Sequence, residues 1–205
     1  MNSSRGIVGY TTEELTVGWT DPINAIPIAV IAVCLSFFGS PRNKTAAWTL
    51  FNSAIIHSWM DGLVGSLGRG PLWMVNEYTT LDSRFWPTQD STVMAMSMFE
   101  LLVMGPLAFA WYGAIQQDRW YQHPLCLVVS SFHMMGDFMY MFAEAWDEFK
   151  HLPVKFPLQF NSYYEFKYFW FVFIGLNLIW FIVPLTLMYK SLQAMKPKEE
   201  SRKNK

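Results

Sequence analysis

Between residues 22 and 39 the chain reads PINAIPIAVIAVCLSFFG, without one charged side chain, and SPRNK follows at once. A bilayer core about 30 Å thick needs about 20 apolar residues in a helix, because no water is present there to satisfy an open backbone. Four further stretches reach or approach that length, over residues 45–67, 91–115, 125–146 and 168–189. Together they predict an all-α integral membrane protein, a bundle of five transmembrane helices with an intramembrane cavity. An N-terminal extramembrane segment (1–21) precedes the membrane domain (22–189), and a basic tail (190–205) follows it.

Composition supports this class. Of 205 residues 52% are hydrophobic and only 15% charged, against about a quarter charged in soluble domains. A net charge of −1 excludes the basic footprint of a nucleic-acid binder. Cys34 and Cys126 lie inside apolar runs and read as small buried hydrophobes rather than a disulfide or a metal site. The first 21 residues carry Glu13, Glu14 and Asp21 and lack the form of a cleaved signal peptide. Five spans put the termini on opposite sides. The tail after Tyr189 carries six Lys or Arg, so the positive-inside rule places the C-terminus in the cytosol. The Gly105-Pro106 pair is expected to kink the third span. The 68–90 loop, acidic and aromatic, is expected to lie against the membrane face.

Ionisable residues at membrane depth cost at least about 2.5 kcal/mol each on insertion scales, so they mark sites. Here they are Asp61, Glu100, Asp137 and Glu144, with His57 and His133. His57 and Asp61 are four apart and share a helix face. His133, Asp137, Tyr140 and Glu144 form one stripe along the fourth span. Three acid-bearing helices can therefore face one cavity. His123 and His151 read as loop surface residues. The spacing leaves two chemistries open. One is a metal site, for which two membrane-depth histidines fall well short of an intramembrane diiron set. The other is acid–base proton transfer by carboxyls and imidazoles in an apolar pocket. The abundant Trp, Tyr and Phe, Trp180 among them, offer π faces to a cation. Acid, base and aromatic wall suit a carbocation reaction on a lipid-soluble substrate, without metal or cofactor.

Five blocks in order carry a resemblance: IIHSWMDG (His57, Asp61), EYTTLDSRF (Tyr78, Asp82, Arg84), MGPLAF, GDFMYMFAE (Asp137, Tyr140, Glu144) and YFWFVFIGLNLIWFIVP (Asn177, Trp180, Pro184). They resemble the EXPERA family and, within it, the emopamil-binding branch of sterol double-bond isomerases of the endoplasmic reticulum. The resemblance implies protonation of a ring alkene and removal of a proton from a neighbouring carbon. His57 matches the family's proton-relay histidine, and Asp61 stands at a catalytic glutamate, one methylene shorter. Trp180 matches the residue facing the cation and Asn177 the asparagine of the polar network. Ser97 falls at the family's acid in the third span, and the acid here is Glu100, three residues on. Such a step advances a side chain about 4.5 Å and turns it about 60°, which implies a different carbon losing its proton or a differently shaped substrate. The expected catalytic set is thus His57, Asp61, Glu100, Trp180 and Asn177, with Ser97, Tyr78, Asp137 and Tyr140 binding substrate. The expected activity is a sterol or terpenoid isomerase or cyclase, and the alternative is a non-catalytic binder of sterols or cationic amphiphiles. The expected partners are that lipophilic substrate and membrane lipid, with homodimerisation left open. RKNK at the end resembles a dilysine retrieval signal and suits a multi-pass protein of the endoplasmic reticulum membrane.

Overall fold

The computed structural model describes residues 11–158 and 162–196. Among them every regular element is helical. The N-terminal residues 1–10 and the end of the tail, including RKNK, lie outside the described residues.

A short amphipathic turn, α1 (Thr12–Thr16), opens with a capping box between Thr11 and Glu14. The apolar run 22–38 forms a 3₁₀ turn (Pro22–Asn24) and then α2 (Ala25–Phe38). Asn43 caps the next helix, its side chain accepting from the Ala46 amide at 2.9 Å. That helix, α3 (Lys44–Phe51), continues without a break into a π-helical stretch, Asn52–Gly65. The 68–90 connection contains α4 (Leu72–Leu81). Asp90 caps α5 (Ser91–Phe99), which passes through a π turn, Glu100–Met104, into α6 (Gly105–Gln116). The register change falls where the Gly105-Pro106 pair was expected to perturb the helix, since Pro106 has no amide to donate. The long α7 (Gln122–Trp146) follows. A π-helical Glu165–Leu176 then leads into α8 (Asn177–Met195).

The last helix runs six residues past Tyr189, so the segment starting at Lys190 is helical at its outset. Ser191 to Met195 contain no breaker, and the helix stops at Lys196, whose extended backbone (φ −59°, ψ 133°) is what Pro197 requires of the residue before it.

Three helices are long and apolar enough to cross a membrane: Ser91–Gln116, Gln122–Trp146 and Glu165–Met195. In the last, only 11% of the most apolar stretch is buried inside the protein, so its hydrophobic side chains face outward as they do in lipid. Pro22–Phe38 is apolar but shorter, and Asn52, His57 and Asp61 lower the hydropathy of the 44–67 helix. A dry core of Cys34, Ala46, Trp111, Tyr112, Ile115, Cys126 and Val129 ties α2, α3, α6 and α7 together. Both cysteines are free and buried.

Candidate active site

A cavity of about 300 Å³ lies in the bundle, walled by the two π-helical regions of the first half, α4, α7 and the last span. All nine residues singled out from the sequence line it: His57, Asp61, Tyr78, Ser97, Glu100, Asp137, Tyr140, Asn177 and Trp180. Their meeting depends on close helix approach. A Cβ on Gly62 would lie 2.9 Å from the Leu101 Cβ, and one on Gly105 would lie 3.0 Å from Ser58 Oγ. Ser53 Oγ also donates to the Gly105 carbonyl at 2.8 Å. Glycine at these two positions lets the π-helical stretches touch, and that contact sets Glu100 opposite His57.

The titratable groups are packed together. One ligand-capable atom each from His57, Asp61 and Glu100 lies within 4.8 Å of the other two. His57 Nδ1 stands 3.6 Å from Glu100 Oε2, longer than a hydrogen bond but within the slack that unliganded catalytic sites show. On the other edge of the ring, His57 Nε2 meets His133 Nε2 at 2.8 Å, and the rings stack with centroids 4.9 Å apart. One of these nitrogens donates and the other accepts, so the pair needs a single proton between them. If His133 donates, His57 directs Nδ1–H at Glu100. Glu100, His57 and His133 thus form a continuous row of proton carriers. Tyr78 OH donates to Asp61 Oδ1 at 2.6 Å from α4, outside the three spans. Burial, with the Asp61 charge beside it, raises the Tyr78 phenol well above its ordinary range, so it stays a donor.

No Lys or Arg is among the residues lining the cavity. His57 Nδ1, His133 Nδ1, Glu100 Oε2, Asp137 Oδ2 and Tyr140 OH are buried and make no hydrogen bond among the described residues. Buried polar atoms without partners are costly in a core whose only task is structural. Much of the remaining wall is apolar or aromatic, with Ile56, Met60, Phe85, Val93, Met104 and Phe132 on it. Trp180 presents its indole there, held by Nε1 donating to Asn52 Oδ1 at 2.8 Å and packed against Trp48 with centroids 5.7 Å apart. Asn52 in turn donates to the Trp48 carbonyl at 2.8 Å. The amide that orients the indole is therefore Asn52, which the sequence reading missed. Asn177 lines the cavity while its amide donates to the Phe173 carbonyl of its own helix at 2.7 Å.

Three expectations are corrected. Glu144 does not share the cavity with Asp137. It is fully buried in a second cluster, 3.2 Å from Arg84 Nη2 and 2.9 Å from His151 Nδ1. Arg84 also grips Asp82 through Nε and Nη2 at 2.6–3.1 Å and lies over the Tyr140 ring at 5.1 Å. Burial disfavours the Arg84 charge, but the hydrogen bonds from Asp82 and the charges of Asp82 and Glu144 hold its pKa above the ordinary value. His151 is accordingly no surface residue, since its ring and its amide both bond Glu144. His123 is also half-buried, in the first turn of α7 near Ser191. Spacing along one helix could not find these pairs, because Arg84 and Glu144 are brought together only by the fold.

Fold and site thus define an all-helical membrane protein with an acid-bearing pocket between its helices. The chain belongs to the EXPERA (EXPanded EBP superfamily) family, which matches residues 72–191. It is similar to the 3-beta-hydroxysteroid-Delta(8),Delta(7)-isomerase of Mus musculus, 30% identical over 163 residues that span 76% of this chain and 66% of the relative. The proteins of that name from Rattus norvegicus and Cavia porcellus are 30% and 28% identical over 122 residues, 60% of this chain. In those two the match spans 48% of the relative's own length.

Proposed function

We propose that the protein is a membrane isomerase or cyclase that moves protons on an alkene of a sterol-like or terpenoid lipid. The observation that carries this is the grouping of His57, Asp61 and Glu100 within 4.8 Å in a cavity that also holds Trp180. Family membership and the isomerase relatives support the same class. His57, with Asp61 held by Tyr78, delivers a proton to one alkene carbon, and a C–H bond forms. The neighbouring carbon becomes cationic beside the Trp180 ring, an interaction worth about 2 kcal/mol or more where water is absent. Glu100 then takes a proton from an adjacent carbon, whose C–H electrons close the new double bond. Atoms and charge balance without redox change, and His57 is reprotonated along the row Glu100–His57–His133 with exchange against solvent before the next turnover. In the cyclase variant a second alkene attacks the cation before the proton leaves. The five spans, the cytosolic C-terminus and residence in the endoplasmic reticulum belong to this reading. So do the boundaries at residues 21 and 189, the substrate contacts of Ser97, Tyr78, Asp137 and Tyr140, and the place of Asn177 in the polar network.

A specific observation favours a second reading, a binding protein without turnover: serine stands at position 97, where the resemblance implies an acid. A conversion assay on protein in lipid nanodiscs, with a panel of unsaturated sterols and cyclic terpenoids, separates the two. Product formation lost in Glu100→Gln supports catalysis. Saturable sterol or amine binding without any product supports the binder. Iron or zinc at one equivalent in purified protein would replace both with a metal centre on the same three side chains.

A further inference from the structure

A second cavity, of about 510 Å³, lies between α5 and α7. It is lined by Ala95, Phe99, Met135 and Met139, among others, and shares Met96, Glu100, Met104, Phe132 and Gly136 with the first. Both walls belong to helices long and apolar enough to cross a membrane. Phe99, Met135 and Met139 are 40%, 58% and 45% exposed, so the cavity is open on its outer side. Its cause is a splay in the bundle. α6 packs on α7, whereas α5 makes no comparable backbone approach to α7 among the described residues. Across that gap reach two side chains, Phe99 and Phe132, edge to face with ring centroids 5.0 Å apart. Aromatic pairs of this kind are worth about 1 kcal/mol, and methionines on the walls adapt their shape readily. A rotamer change at either ring is a small cost beside a helix movement.

We infer that the α5–α7 gap is a side doorway through which a membrane-dissolved ligand reaches the acid-bearing cavity, with the Phe99–Phe132 pair as its gate. Glu100 lines both spaces, so the acid in this chain stands at the threshold, whereas position 97 faces only the inner cavity. An apolar ligand dissolved in the bilayer meets Glu100 without first passing through water. The identity of that ligand rests on the proposed function, but the route does not.

The test reads the route alone. In Ser97→Cys protein in nanodiscs the new thiol faces the inner cavity, and background is low because both native cysteines are buried. Lipid-soluble pyrene maleimide is expected to alkylate it faster than a sulfonated maleimide confined to water. Adding Ala95→Trp or, from the opposite wall, Met135→Trp is expected to slow pyrene labelling by about tenfold or more, as a closed gate does, and Phe99→Ala to speed it. The doorway is overturned if both tryptophan variants label at the parent rate, or if the sulfonated reagent matches the lipid-soluble one. Either result leaves the proposed chemistry standing. Loss of conversion in the assay above with this pattern intact would instead remove the chemistry and keep the route.

Discussion

Asp137 and Glu144 stand seven residues apart on α7, and their surroundings differ in every respect that matters to a buried carboxyl. Glu144 meets a guanidinium, an imidazole and a backbone amide, and Arg84 bonds Asp82 as well. The groups of that cluster bond one another and join the loop after α4, the end of α7 and the connection beyond it. Asp137 belongs instead with Asp61, Glu100 and His57 in a cavity lined by no Lys or Arg, and its Oδ2 makes no hydrogen bond among the described residues. The first cluster satisfies its charges internally and so serves the fold. The second leaves donors and acceptors aimed into a cavity, which the proposed function assigns to a ligand.

Substitutions can break that contrast, beginning where the largest effect is expected. Glu100→Gln and His57→Ala should each lower turnover by about 10²–10⁴, the usual worth of a positioned acid or base. The Glu100→Gln unfolding midpoint in detergent should stay close to the parent's, because Glu100 Oε2 makes no hydrogen bond among the described residues, whereas His57→Ala also loses the buried bond to His133 and should lower it. Arg84→Met should do the reverse. It strands two buried carboxylates, a loss of about 3–5 kcal/mol, read as a large drop in unfolding midpoint and in the yield of folded protein. Asn52→Leu frees the Trp180 indole and should lower turnover about tenfold, the equivalent of one lost hydrogen bond, with little change in the labelling of Ser97→Cys. The smallest effect lies at the surface. The Arg69 hydrogen bonds and the Ile23 amide lower the Asp21 pKa. A lowered folded-state pKa contributes stability above the ordinary carboxylate range and loses it as pH falls through the lowered value. Asp21→Asn should therefore leave turnover unchanged and alter only the acid limb of a stability–pH profile.

Much of this was legible in the chain itself. The i, i+4 pair of His57 and Asp61 and the α7 stripe through Tyr140 follow from periodicity, which reports the face of a single helix, whereas Trp180 is marked by the family resemblance. Periodicity does not report which helix lies opposite. The stacking of His57 on His133, the Tyr78 donor from α4 and the Asn52 hold on Trp180 each join separate elements. The meeting of Glu100 with His57 depends on π-helical turns and on Gly62 and Gly105, neither of which a 3.6-residue repeat expresses. Glu144 misled for the same reason. Its place in the stripe pointed to the cavity, whereas its partner Arg84 arrives from a loop 60 residues earlier. α8 outran its apolar pattern because helix propensity, not hydropathy, carries it to Met195.

The central claim, that the carboxyls of the cavity move protons, is tested most directly by solvent isotope uptake. Protein in nanodiscs is incubated with a convertible sterol or terpenoid in deuterated buffer, and the product is analysed by mass spectrometry and NMR. The account predicts one carbon-bound deuterium per turnover in the parent and none in a Glu100→Gln protein that unfolds at the parent's midpoint. Product formed without deuterium, or deuterium uptake undiminished in Glu100→Gln, would contradict it.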